Sequence, residues 1–234
     1  MEQYRCAVLR RDFPVPSLID RLRGATKRAA GEVVRWAWDG AIELGAIGPD
    51  SRRGRRFGQF GAGSIICFPP TALVNEHAIR IGSDTVIGPQ ITLSAGMMPG
   101  QELLSDRVVR IGDRCLIGKG SGIVGHLSIE IGDDVWTGHH VYITDQNHGY
   151  EDITLSISRQ SQPERPVRIG DGTWLGHGVV VLPGATIGRH VVVAAGSVVT
   201  GELPDHCVAA GSPARPIRRH VDGEGWVRVA DAAS

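Results

Sequence analysis

The sequence predicts a mainly β protein, a three-sided parallel solenoid with a helical extension before it. Three observations point there. Aliphatic residues return every six positions from Ile169 to Pro204, through IGDGTW, LGHGVV, VLPGAT, IGRHVV, VAAGSV and VTGELP. The phrase that opens at Ile169 returns at Ile187, so three hexads of eighteen residues make one structural period. No stretch with helical spacing separates the apolar sixes, which excludes alternating strand and helix units.

In such a prism each hexad is a short strand plus a corner. The opening aliphatic residue points inward, the glycine often beside it permits close or unusual backbone geometry, and the fifth residue is small because the interior is narrow. An aromatic content of 5% fits that interior. Stacked coils lie about 4.8 Å apart and pair their backbones with the coils on either side. Further coils open at Ile81, Ile111 and Ile131, so successive starts differ by 30, 20, 38 and 18 residues. Relative to eighteen the insertions are twelve, two, twenty and none. With a weaker coil between Phe60 and Arg80, the solenoid holds about five to six coils over 60–204, with loops at about 97–108 and 149–166.

The flanks read differently. Residues 1–16 show no period. From Ser17 to about Glu43 apolar residues recur at three or four positions, which predicts a helix with Ser17 as its N-cap, loosened around Gly24 and Gly31. It would cover the open end of the solenoid, whose edge otherwise recruits other chains; as a basic amphipathic helix it is also a candidate for peripheral membrane contact. A basic run, Arg52 to Arg56 with Gly54 inside it, completes the 1–59 extension as a solvated linker. The segment 205–234 ends in VDGEGWVRVADAAS, which shows little helical periodicity and reads as a loosely ordered tail.

Charge is balanced at 25 basic and 25 acidic residues, so no global field favours nucleic acid. Residues 1–66 hold twelve Lys and Arg against seven Asp and Glu, a modestly basic end. Cys6, Cys67, Cys115 and Cys207 are scattered without metal or disulfide spacing, as expected of reduced thiols in a cytoplasm, and Cys115 takes an inward fifth place. No apolar run approaches the ~18 residues of a membrane span and no secretory segment opens the chain, so a cytoplasmic protein is expected.

The two large insertions both leave after the third hexad of a coil, hence from the same corner of the prism, and loops rooted on a rigid edge commonly carry function. His148 ends the third hexad at the root of the second loop, in TDQNHGYED. His126 stands at the same corner one coil earlier. His139 and His177 hold equivalent places in successive coils and should stack on another edge.

These hexads resemble those of the hexapeptide-repeat acyltransferases. The ending AAGSVVTGELPDHCVAAGSPARPIRR is similar to the end of the maltose, galactoside and xenobiotic O-acetyltransferases, and the resemblance covers about Phe60 to Arg219. It implies a left-handed β-helix, where parallel crossovers are otherwise right-handed. It also implies a homotrimer, acetyl-CoA or another acyl-CoA as co-substrate without a metal, and transfer to a hydroxyl of a sugar or glycoconjugate. In that family the catalytic histidine sits where a long loop leaves the coil, which falls on His148 as general base. Asp145, Asn147, Tyr150 and His126 are the candidate acceptor-binding residues, and any of Asp145, Asn147, Tyr150, Glu151 and Asp152 could orient the imidazole. Coenzyme A would contact Trp174, Gly176, His177, Ala195 and Thr200, with Arg215 and Arg218 near its phosphates. Gly201 stands where the family often has a lysine. Two other classes stay open. A zinc lyase of the γ-carbonic-anhydrase kind would use stacked histidines, although His148 lies nine positions after His139, and a solenoid scaffold would need no chemistry.

Overall fold

The computed structural model describes residues 18–229, with side chains from Thr26 onward. It divides into a helical unit up to Ala41 and a larger unit from Ile42. Helix α1 spans Leu18–Gly45, two residues beyond the expected end. It runs unbroken through Gly24 and Gly31 where loosening was expected; an interior glycine costs only about 1 kcal/mol, and Ala, Arg, Leu and Glu around it are good helix formers. Arg28, Glu32, Arg35, Asp39 and Glu43 fall at spacings of four, three, four and four, one charged stripe. Most of the remaining surface is apolar and open, with Trp36 77% exposed and Val33, Val34 and Trp38 also exposed. No helix among the described residues is long and apolar enough to cross a membrane.

The larger unit is the expected prism. Its first face carries Gln59–Phe60, Ile79–Ile81, Val109–Ile111, Ile129–Ile131, Val167–Ile169, Thr186–Ile187 and Glu202–Leu203, all parallel neighbours in that order. The second face begins with Ile65–Ile66, Val86–Ile87, Leu116–Ile117, Trp136–Thr137, Trp174–Leu175, Val192–Val193 and Cys207–Gly211. The third carries Ala72–Val74, Thr92–Ala95, Gly122–Gly125, Tyr142–Thr144, Val180–Val181 and Val198–Val199. Six coils are therefore complete, the weak one near Phe60 included, and a seventh is begun. Register ignores the insertions: Ile131 pairs with Ile169 and Trp136 with Trp174 across the longest of them.

The interior follows the hexad code. Ile81, Ile111, Ile131, Ile169 and Ile187 open their hexads and are buried, and the fifth places hold Thr85, Cys115, Val135, Thr173 and Val191, buried too. Burial pushes the Cys115 thiol pKa up, so it stays a neutral space-filler. Fifth-place hydroxyls tie the coils together: Thr85 Oγ1 donates to the Gly112 carbonyl at 2.8 Å and accepts from the Cys115 N–H at 3.0 Å. Close approach and unusual backbone, which the sequence left together at the second place, occupy separate positions. The second-place glycine serves close approach: a Cβ on Gly132 would fall on the Asp171 carboxylate and within 2.9 Å of its amide nitrogen. The left-handed backbone falls at the fourth place, on Asp84, Arg114, Asp134, His190 and His206, with φ between 54° and 55°. Third-place aspartates complete the corner, as Asp113 N–H donates to Asp133 Oδ1 and Asp133 N–H to Asp171 Oδ1, both at 2.9 Å.

The tail differs from expectation. Cys207–Gly211 is followed by two antiparallel strands, Ala214–Val221 and Gly225–Arg228, which extend the second face to nine strands. The last parallel strand would otherwise present an open edge. Burial alternates along Gly225–Arg228 but not along Ala214–Val221, most of which is exposed, and Gly223 and Gly225 have positive φ in the turn.

Candidate active site

The corner from the third face to the first carries the twelve-, two- and twenty-residue insertions. The two longest, after Ala95 and after Thr144, leave from rows two coils apart, with Gly122–Gly125 between them, and border one cleft, as their common root predicts. Asn75 anchors the first loop. Its side chain donates to the carbonyls of Ala95 (2.7 Å) and Met98 (2.9 Å) and accepts from the Gly100 N–H at 2.8 Å. The second loop is zipped at its root by an antiparallel return. Asn147 N–H donates to the Pro163 carbonyl, Gly149 N–H to that of Ser161 and Arg165 N–H to that of Asp145, at 2.8–3.1 Å. This return places Gln162 opposite His148.

His148 lines a cleft of about 500 Å³ together with His126, Asn147, Met97 and the Thr92 and Tyr142 side chains of the third face. Its Nδ1 lies 3.3 Å from Gln162 Nε2. Gln162 escaped sequence reasoning because it lies fourteen residues away, inside a loop without period. His126 is buried and its Nδ1 stands 3.8 Å from Glu164 Oε1, which also accepts from Gln146 Nε2 at 3.1 Å. Of the other residues expected here, Asn147 is on the cleft wall, whereas Tyr150 is 72% exposed and outside the lining.

Asp145 corrects an expectation. It is fully buried, and its carboxylate accepts N–H bonds from His126 (2.8 Å), Leu127 (2.9 Å) and Ser128 (2.7 Å). The short two-residue insertion is thus wrapped around this carboxylate. Asp145 builds the corner and has no free face for acceptor or imidazole.

The residues expected to meet coenzyme A lie elsewhere on the prism. Trp174 stands half-exposed on the second face beside Trp136. Gly176, His177 and Ala195 form the corner between the second and third faces, where a Cβ on Gly176 would come within 2.9 Å of the Ala195 Cα. His177 packs edge-on to His139 (6.3 Å) and His140 (5.5 Å), so the predicted histidine stack exists. Among the described residues no group of three or more His, Cys, Asp or Glu is placed to hold a metal ion. Thr200 follows the last strand of the third face, and Arg215 and Arg218 project from the C-terminal hairpin, all exposed. Within one chain the geometry gathers His148, His126 and Asn147 at one cleft and leaves this second set distributed over other corners.

Two hexapeptide profiles match inside the solenoid, "bacterial transferase hexapeptide (six repeats)" over 166–201 and "hexapeptide repeat of succinyl-transferase" over 108–144. A probable acetyltransferase of Mycobacterium tuberculosis is 44% identical over 110 residues, a match that covers 47% of this chain and only 37% of the relative. A putative lipopolysaccharide biosynthesis O-acetyl transferase of Escherichia coli is 33% identical over 163 residues, 67% of this chain and 79% of the relative. A mutant of the N-acyltransferase AntD from Bacillus cereus, solved in complex with dTDP and coenzyme A, shares the fold with a TM-score of 0.60. The likeness covers 74% of this chain and 90% of that one at 18% identity.

Proposed function

We propose that this chain, which belongs to the hexapeptide-repeat acyltransferase family with its left-handed parallel β-helix, moves an acetyl group from acetyl-CoA to a hydroxyl of a sugar or glycoconjugate. The observation that carries the proposal is His148, held at the mouth of a cleft between two loops and oriented by Gln162. The tautomer suited to base chemistry has Nδ1–H donating to Gln162, with the side-chain amide turned to present its oxygen. The Nε2 lone pair is then free to take the acceptor proton as the oxygen attacks the thioester. The hydroxyl oxygen forms the new bond to the acyl carbon, the carbon–sulfur bond breaks, and the thiolate leaves with the proton. His126, its ring beside Glu164, and Asn147 bound the acceptor side of the cleft.

The donor is placed against Trp174, Gly176, His177, Ala195 and Thr200, a set that reaches the His148 cleft only if a neighbouring chain supplies it. A homotrimer does this. The exposed row Val86, Leu116, Trp136 and Trp174 on the second face gives that assembly an apolar surface to bury. Light scattering of the purified protein is expected to give three times the chain mass of 25.0 kDa. Helix α1, apolar around most of its circumference with tryptophans among the exposed residues, is assigned peripheral contact with a bilayer interface. Co-sedimentation with anionic vesicles, lost on Trp36→Glu, checks it.

The direct test is release of free thiol from acetyl-CoA in the presence of a panel of hydroxyl sugars, with product identified by mass. Acetylated sugar formed by the wild type and absent with His148→Ala supports the proposal. Equal product from both proteins refutes the base.

A further inference from the structure

The cleft that holds His148 is longer than the transfer of one small group needs. Its lining runs from Val74 on the first coil through Ser94, Val124 and Thr144, successive register partners on the third face, to Leu182 on the fifth coil. His148 leaves the fourth coil. Three row spacings, about 14 Å in all, therefore stretch from it towards Val74, and only one lies on its other side. The donor set Gly176, His177, Ala195 and Thr200 belongs to the fifth and sixth coils, on that short side.

A second outward row, Thr92, Gly122 and Tyr142, lies beside the first. Tyr142 is 42% exposed and its ring leans over the glycine: a Cβ on Gly122 would meet the ring Cδ2 at 3.0 Å and Cε2 at 3.4 Å. The missing side chain thus lets the ring lie across the floor of the cleft. Neither the Tyr142 nor the Thr92 hydroxyl has a hydrogen-bond partner among the described residues, whereas Ser94 Oγ donates to the Gly96 carbonyl at 2.5 Å and Thr144 Oγ1 faces the Gln146 backbone. An apolar ring bordered by free hydroxyls suits a sugar, whose faces are C–H and whose rim is hydroxyl.

No Lys, Arg, Asp or Glu lines the cleft. Glu164, beside His126, accepts from Gln146 Nε2 at 3.1 Å, and past the Val74 end Arg53 and Arg56 both face the buried Glu76 carboxylate at 3.4 Å. A diphosphate would meet no lysine or arginine along this floor. We propose that the acceptor is an uncharged linear saccharide of about three units or more, laid along the third face from His148 towards Val74 with one sugar stacked on Tyr142. The repeat of a linked hexose is close to one strand spacing, so each row takes about one sugar. The inference deepens the transferase reading above and rests on it, with the hydroxyl at His148 attacking the thioester as described there.

Acetyl transfer to glucose, galactose and N-acetylglucosamine, to their linear oligomers of two to five units and to the UDP-linked sugars tests this. Saturation-transfer NMR of the same sugars without acetyl-CoA reads the groove separately. In at least one series kcat/KM should rise roughly ten-fold or more from one unit to three and then level off, with the UDP-linked sugar no better than the free one. Tyr142→Ala should raise KM for the three-unit chain roughly ten-fold at unchanged kcat, and Tyr142→Phe should restore it, which separates loss of the ring from loss of the fold. Val74→Arg should cancel the gain of the third unit. Oligomers that bind without being acetylated remove the transferase and leave the groove. Monosaccharides acetylated as fast as their oligomers, a preference for UDP-linked sugars, or oligomer kinetics unmoved by Tyr142→Ala and Val74→Arg leave the transferase and overturn the groove. Neither binding nor transfer in any series overturns both.

Discussion

The corner between the first and second faces and the corner between the third and first are built from the same repeating chain, yet they obey opposite rules. At the first, every coil uses the same plan: a second-place residue pressed against the next coil, a third-place residue, often aspartate, that accepts a neighbouring N–H, and a fourth residue with left-handed backbone. Nothing can be inserted there without breaking the ladder. At the second, connections range from two residues after Val199 to more than twenty after Thr144. The regular corner fixes the coil spacing, and the irregular one spends that rigidity on loops that hold a histidine at a cleft. Scaffold and chemistry are thus separated by edge and not by domain.

Substitutions at the two corners should separate in kind. At the irregular corner His148→Ala should lower kcat/KM about 10²- to 10⁴-fold, the usual worth of general-base help, while the melting temperature holds because the side chain is exposed. Asp145→Ala, at the same corner but buried, should behave as a scaffold mutation. Three N–H groups lose their acceptor, at about 1–3 kcal/mol for each that water cannot reach, and chemical denaturation should show a loss of about 3 kcal/mol or more. At the regular corner Gly132→Ala should cost about 1–3 kcal/mol from overpacking, measured the same way, with kcat unchanged in the folded fraction. Gln162→Ala should leave stability alone and reduce kcat about ten-fold, one hydrogen bond's worth, with the pH profile displaced as His148 loses its partner.

The smallest effect concerns acid. The Arg189 N–H, then its guanidinium, hold the Asp205 carboxyl below the usual carboxylate range. A depressed folded pKa contributes stability that is present above the unfolded value of about 3.9 and is lost as pH falls through the folded one. Asp205→Asn should therefore narrow its difference from the wild type in thermal melts as pH falls below that value, with no change near neutrality in the slope against pH.

The prism was legible because its code is local: an aliphatic residue every six positions says inside, and that holds whatever loop intervenes. Even the weak coil near Phe60 followed from it. The root of the second loop was legible for the same reason, since His148 falls at a countable place in a hexad. Gln162 was not, because the antiparallel return that brings it opposite His148 depends on backbone pairing between segments without period. Asp145 was misplaced because an aspartate next to a loop looks the same in sequence whether it faces solvent or three N–H groups. The terminal hairpin was missed because its alternation spans only a few residues, and only the open edge of Cys207–Gly211 gives it something to pair with.

The most direct measurement is calorimetric titration of acetyl-CoA into wild-type protein and into His148→Ala, followed by transfer to a hydroxyl acceptor in the same samples. Saturable binding to both at near one site per chain, with transfer only by the wild type, is the expected result. Failure of either protein to bind coenzyme A in any acyl form, or transfer by the variant at the wild-type rate, would contradict it.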